Sequence, residues 1–170
     1  MARHRFEYVF ELKNFSHPVA SGPLIEATWR NPSIADQQIL AELMLDSYRD
    51  TIDYDGETID EALHEVESYF SGQLENSAWI NSSWLGFREA NLACASLVGF
   101  WKDRNSPIIS YVMTSSRWKG KHLATMGVLR SLQSLVENGH TKVYAVITEG
   151  NIPSERVFTR LGFERLARIK

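Results

Sequence analysis

Cysteine is almost missing from this chain of 170 residues, and Cys94 stands alone. One thiol closes no internal disulfide and builds no multi-cysteine zinc site. A basic excess is missing too. The 18 Lys and Arg are outnumbered by 21 Asp and Glu, and the formal net charge of -3 argues against a general nucleic-acid binder. No apolar run is long enough to span a bilayer. The opening residues, Met1 to Glu7, lead into charge rather than an apolar signal region. Repeats and low-complexity stretches are also absent. These absences lead to the expectation of a cytoplasmic protein with no membrane and no nucleic-acid partner. A hydrophobic share of 44% and a charged share of 23% are ordinary for one globular domain with a real core.

What is present reads as alternating strands and helices. Phe6, Tyr8, Phe10 and Leu12 alternate with Arg5, Glu7, Glu11 and Lys13, the pattern of a half-buried strand over 4–13. Residues 14–23 form a loop with Pro18, Gly22 and Pro23, and Leu24 to Trp29 is a second strand. Ser33 and Asp36 open a first helix, whose face carries Leu40, Leu43, Met44 and Ser47. Thr58 and Glu61 form a capping-box pair before a second helix with Ile59, Ala62, Leu63, Val66 and Phe70 on one side, ended by Gly72. Three strands with short turns, Ser83 to Phe87, Leu92 to Trp101 and Ile108 to Thr114, suit an antiparallel meander. A helix from Leu123 to Val136 stops at Asn138-Gly139. Val143 to Ile147, apolar throughout, reads as a strand covered on both faces. Asn151 and Pro153 open a short helix that stops at Gly162, and a last strand runs from Phe163 toward Ile169. The order predicts a mixed α/β sheet rather than a regular doubly wound one.

The densest chemistry lies in Ser116 to Ala124, where Arg117, Lys119, Lys121 and His122 fall within six residues. A strand, a basic turn with a glycine and then a helix make a diphosphate cradle. The first helical amides lack partners and carry partial positive charge, and Gly120 lets a ligand approach. A nucleotide P-loop needs Gly-x-x-x-x-Gly-Lys-Ser/Thr, and His122 follows Lys121 here.

Arg117-Trp118-Lys119-Gly120-Lys121-His122 is similar to the acetyl-CoA loop of the GCN5-related N-acetyltransferase (GNAT) family, Arg/Gln-x-x-Gly-x-Gly/Ala. Asn151-Ile152-Pro153-Ser154, Phe158 and Leu161-Gly162-Phe163 resemble that family's carboxy-terminal pattern at the expected separation. The well-matched part is about 80–165. The resemblance implies a mostly antiparallel sheet that splays between Ile108–Thr114 and Val143–Thr148, flanked by about four helices. It also implies a division into an extra strand and loop at 1–22 and an acetyltransferase domain at 23–170.

It further implies acetyl-CoA as co-substrate. Val112, Met113 and Thr114 would pair with the pantetheine amides. The amides from Lys119 through Lys121, His122, Leu123, Ala124 and Thr125 would hold the pyrophosphate, with Arg117 beside them. Asn151 would orient the pantetheine arm or the strand end, and Ser154 and Phe158 would lie along the tail. No metal is implied. The chain departs from the pattern at His122, where glycine or alanine is usual, and at Phe158, where a tyrosine often supplies a proton to the thiolate.

The implied reaction is attack of an amine on the acetyl thioester in a ternary complex. An alkylamine with a pKa of ~10.4 must first lose a proton, commonly to a carboxylate. Residues 105–110 hold no carboxylate. Glu149, just past the buried strand, is either the base near the strand's carboxyl end or an exposed loop residue. Tyr111 and Ser110 are alternative proton carriers or sheet-surface residues. Cys94, between two alanines, reads as a small core residue. Asp46, Asp50, Asp53, Asp55, Glu57, Asp60 and Glu61 lie within sixteen residues. They are either one wall of a site for a cationic amine, small or on a protein, or a solvated loop with helix-start charges. His64 and Trp79 are pocket or packing residues. The competing reading is a non-catalytic acyl-CoA-binding sensor or interaction module. The first strand either extends a sheet edge or pairs across a homodimer.

Overall fold

The computed structural model describes residues 3–16, 25–73 and 78–169. The predicted boundary at 22/23, most of the 14–23 loop and Leu24 lie outside them. Seven strands form one sheet: β1 (Arg5–Glu11), β2 (Thr28–Arg30), β3 (Trp84–Arg88), β4 (Asn91–Trp101), β5 (Ser106–Thr114), β6 (Lys142–Thr148) and β7 (Glu164–Arg168). Among the described residues five helices accompany them: α1 (Gln37–Tyr48), α2 (Ile59–Gln73), α3 (Ala78–Asn81), α4 (Leu123–Glu137) and α5 (Ile152–Leu161). Gly72 lies within α2 rather than ending it, and α3 has no sequence signature. A short 3-10 turn, Ile34–Asp36, precedes α1 and is held where Arg30 grips Asp36 at 2.7 and 2.8 Å.

The sheet order is β2-β3-β4-β5-β6-β1-β7. β2 to β5 are the expected antiparallel meander, and β5 and β6 are the parallel pair. β1 is an interior strand. It pairs antiparallel with β6 on one side and β7 on the other, so it neither extends an edge nor needs another chain. Its alternation explains how: Tyr8, Phe10 and Leu12 point into one core, with Phe10 against Phe163 at 5.3 Å between centroids.

The two larger of three hydrophobic clusters among the described residues lie on opposite faces. α4 and α5 cover the face presenting Val98, Ile109, Val143, Ala145 and Ile147. On the other, α1 and α2 cover Leu85, Ala95, Leu97 and Met113. β6 is therefore not covered on both faces by helices. Tyr144 and Val146 are only half-buried, and Val146 lines a cavity.

The parallel β5–β6 pairing is short. Ile108 faces Tyr144, Ile109 faces Ala145, and then the strands part. The cause lies next door on β5. Leu97 opposes Tyr111 while Val98 opposes Ile109, which leaves Ser110 without a partner in β4. A bulge bends and twists its strand, and this one turns the end of β5 away from β6. The expected splay is thus built by one extra residue.

Candidate active site

Two cavities open into the splay. One, of about 590 Å³, lies between α2 and the ends of β5 and β6. The other, of about 530 Å³, lies between the start of α4 and α5. They meet at Tyr48, Val112, Asn151, Ser154 and Phe158, which line both.

The second cavity is a groove suited to an anion. α4 begins after the turn 119–122 with no side-chain cap, so its first amides face the groove. Gly120 has φ +76, and a Cβ there would meet no atom within 4 Å, so it borders open space. His122 also has a left-handed backbone, φ 63, which gives a second reason for glycine to be usual there. Its side chain is exposed, while its carbonyl accepts the first helical bond from Met126 at 3.0 Å. Lys119 Nζ donates to the Ser47 carbonyl at 2.7 Å and so stays at the lip. Arg156 and Arg160, one turn apart on α5, also line the groove. Of the predicted cofactor positions, Met113, Arg117 and Lys121 stand off it, and the others line it. Met113 is buried under α1 and α2, and Arg117 pairs with Glu89 at 2.6 Å.

Past the bulge, backbone groups of β5 are met by side chains at the end of α1. The Thr114 amide donates to Ser47 Oγ at 3.0 Å, and the Val112 carbonyl accepts from the Tyr48 hydroxyl at 3.4 Å. Asp46 ties α1 to the cofactor turn by accepting from the Ser116 amide at 2.8 Å and hydroxyl at 2.7 Å. Burial acts to raise the Asp46 carboxyl, but the Ser116 bonds, with Ser115 and Lys119, outweigh it and leave the pKa below its ordinary value.

The first cavity carries the titratable groups. Glu65 on α2 accepts from the Tyr111 hydroxyl. Asp53 accepts from Asn151 Nδ2 at 2.6 Å, and Asn151 Oδ1 in turn caps α5 by accepting from Ser154 N at 3.3 Å. Burial, then the Glu65 hydrogen bond and charge, push the Tyr111 pKa up. Burial followed by the charges of Asp53 and Glu65 does the same for Tyr48.

Other predicted residues lie elsewhere. Glu149 lines neither cavity and pairs with Arg165 at 3.3 Å. Of the acidic segment, Asp53 lines the first cavity and Asp46 holds the cofactor turn through Ser116. Asp55 holds Arg3, Glu57 accepts from the Asp55 amide, Glu61 accepts from Thr58, and Asp50 and Asp60 are exposed. His64 is exposed, and Trp79 stacks on Phe100 at 5.5 Å. Cys94 is buried, and burial pushes its thiol up to about 12, which suits a core residue and not a nucleophile. Sequence reasoning missed Glu65, Tyr48, Arg156 and Arg160. Only the two arginines left a signal, their spacing of four on one helix.

A family model described as an acetyltransferase (GNAT) domain matches residues 28–164. The chain belongs to the GNAT acetyltransferases, and its fold agrees. A GNAT structure from Sphaerobacter thermophilus superposes with a TM-score of 0.71 at 15% identity, over 98% of this chain and 49% of that one. The chain thus spans about half the length of that relative. The diaminobutyrate acetyltransferase of Paenibacillus lautus matches at TM-score 0.57 and 17% identity, over 79% of this chain and 74% of that one. The PaiA N-acetyltransferase of Thermoplasma acidophilum matches at 0.60 and 13%, over 82% and 91%. No curated protein sequence matches the chain. Among the described residues, no helix is long and apolar enough to cross a membrane.

Proposed function

We propose that this chain transfers an acetyl group from acetyl-CoA to a primary amine by direct attack in a ternary complex. The observation that carries this reading is the junction of two cavities across the β5–β6 splay, one cationic and one lined by carboxylates. The Paenibacillus lautus and Thermoplasma acidophilum structures both hold coenzyme A, which supports the same ligand for the groove.

In this reading the α4 amides, Lys119, Arg156 and Arg160 hold the phosphates, and the splay edge of β5 at Val112 and Thr114 meets the pantetheine amides. The acceptor amine lies between Asp53 and Glu65. Glu149, held by Arg165 outside both cavities, cedes the role of base to Glu65. The amine's proton passes to the Glu65 carboxylate directly or through the Tyr111 hydroxyl. The C–N bond forms, the C–S bond breaks, and the thiolate takes a proton. Phe158 has none to give. Burial followed by the charges of Asp53 and Glu65 raises the Tyr48 pKa and makes that hydroxyl a poor donor. The proton that the nitrogen loses as the amide forms is therefore the one the thiolate takes, through Glu65 or water.

Thiol release from acetyl-CoA over a panel of amines tests the proposal. Glu65→Gln should lower kcat by roughly 100-fold or more while acetyl-CoA still binds. Tight acetyl-CoA binding with no release above hydrolysis for any acceptor would overturn catalysis and favour an acyl-CoA sensor.

A further inference from the structure

The acceptor cavity carries a cation as well as its two carboxylates. Arg5 opposes Thr148 across the β1–β6 ladder, and both line this cavity at the end where β5 and β6 diverge. Opposed residues share a sheet face, so Arg5, Val146 and Thr148 form one wall facing α2.

The arginines of the chain are mostly engaged. Arg3, Arg30, Arg104, Arg117 and Arg165 each grip a carboxylate. Arg88 and Arg130 lie over tryptophan rings. Among the described residues, the guanidinium groups without a partner are those of Arg5, Arg49, Arg156, Arg160 and Arg168. Arg156 and Arg160 line the cofactor groove, Arg5 lines the acceptor cavity, and the other two line neither. A free guanidinium offers a planar fork that matches a carboxylate.

Resting on the acetyl-transfer reading, we infer that the acceptor is a small amino acid. Its amine faces Glu65 and Asp53, and its carboxylate pairs with Arg5. A plain polyamine would leave Arg5 unpaired and be repelled by it. A cavity of about 590 Å³ is ample for such a molecule.

The test compares lysine with cadaverine, and ornithine with putrescine, so that only the carboxylate differs within each pair. Wild type should favour the amino acid of each pair. Arg5→Ala should raise KM for the amino acids by roughly 10- to 100-fold, the range of a charge-assisted pair, and should improve use of the diamines. Arg5→Lys should recover part of the loss. The acetyl-CoA dissociation constant of each variant checks that the fold is intact. Wild-type turnover of diamines as efficiently as amino acids, or an equal loss for both in Arg5→Ala, would overturn the inference and leave acetyl transfer standing. No turnover of any acceptor would overturn both.

Discussion

Asn151 is the residue whose removal reports on the junction most directly. It is 5% exposed and makes two bonds, capping α5 at 3.3 Å and donating to Asp53 at 2.6 Å. Asn151→Ala removes an N-cap worth ~1 kcal/mol. It also removes a hydrogen bond to a charged acceptor, worth ~1.5 kcal/mol because Asp53 is only half-buried. The sum is ~2.5 kcal/mol. With ~2.1 cal/mol/K of unfolding entropy per residue over 170 residues, Tm should fall by ~7 °C.

Asn151→Asp separates the two effects. Aspartate caps as well as asparagine, but it sets a second carboxylate against Asp53. At pH 7 this variant should also lose stability, through lost donation and repulsion. As pH falls toward about 5 one of the two carboxyls takes a proton, so the deficit against wild type should shrink. The Ala deficit should change little over that range. Calorimetric melts of the three proteins at both pH values decide this. An Asp variant as stable as wild type at pH 7 would refute the account.

Three further outcomes are expected. Burial lowers the pKa of His140, which packs on Trp79 at 5.2 Å. Its folded pKa lies below the ordinary ~6.5, so its contribution is complete above that pH and is lost as pH falls toward the folded value. The drop in Tm from pH 7.5 to 5.5 should therefore be larger for wild type than for His140→Gln, and equal drops would exclude this. A Cβ at Gly86 would lie 2.7 Å from Cys94 Sγ and 2.9 Å from the Trp29 ring. Gly86→Ala should cost about 1–3 kcal/mol in urea unfolding, and Cys94→Ala in the same chain should recover part of it. Replacing both Arg156 and Arg160 by Ala should weaken acetyl-CoA binding roughly 10-fold, about 1.4 kcal/mol, and flatten its salt dependence. Calorimetric titration reads this, and unchanged affinity would remove these arginines from the phosphate site.

The groove was legible because its parts are neighbours in the chain. A strand, a basic turn and a helix start need no distant partner to present amides to an anion. Asn151, Ser154 and Phe158 follow from one helix and its cap. The first cavity was not legible. Arg5, Tyr48, Asp53, Glu65 and Tyr111 come from β1, α1, a loop, α2 and β5, and no spacing rule links them. Glu149 stands beside the strand end in sequence, yet Arg165 on β7 draws it away. The seven clustered carboxylates look alike as a string, but each partner comes from its own surroundings.

The sequence by itself determined the elements, since the alternation in β1 and the helical faces of α1, α2 and α4 follow from local periodicity. It also determined the cofactor turn, because helix-start amides are a local property. Only the tertiary structure decided that β1 runs between β6 and β7. Strand pairing joins residues more than a hundred positions apart, and alternation marks a face without naming the neighbour. That insertion carries Arg5, at the first position of the strand, into the lining of the cavity beside the splay.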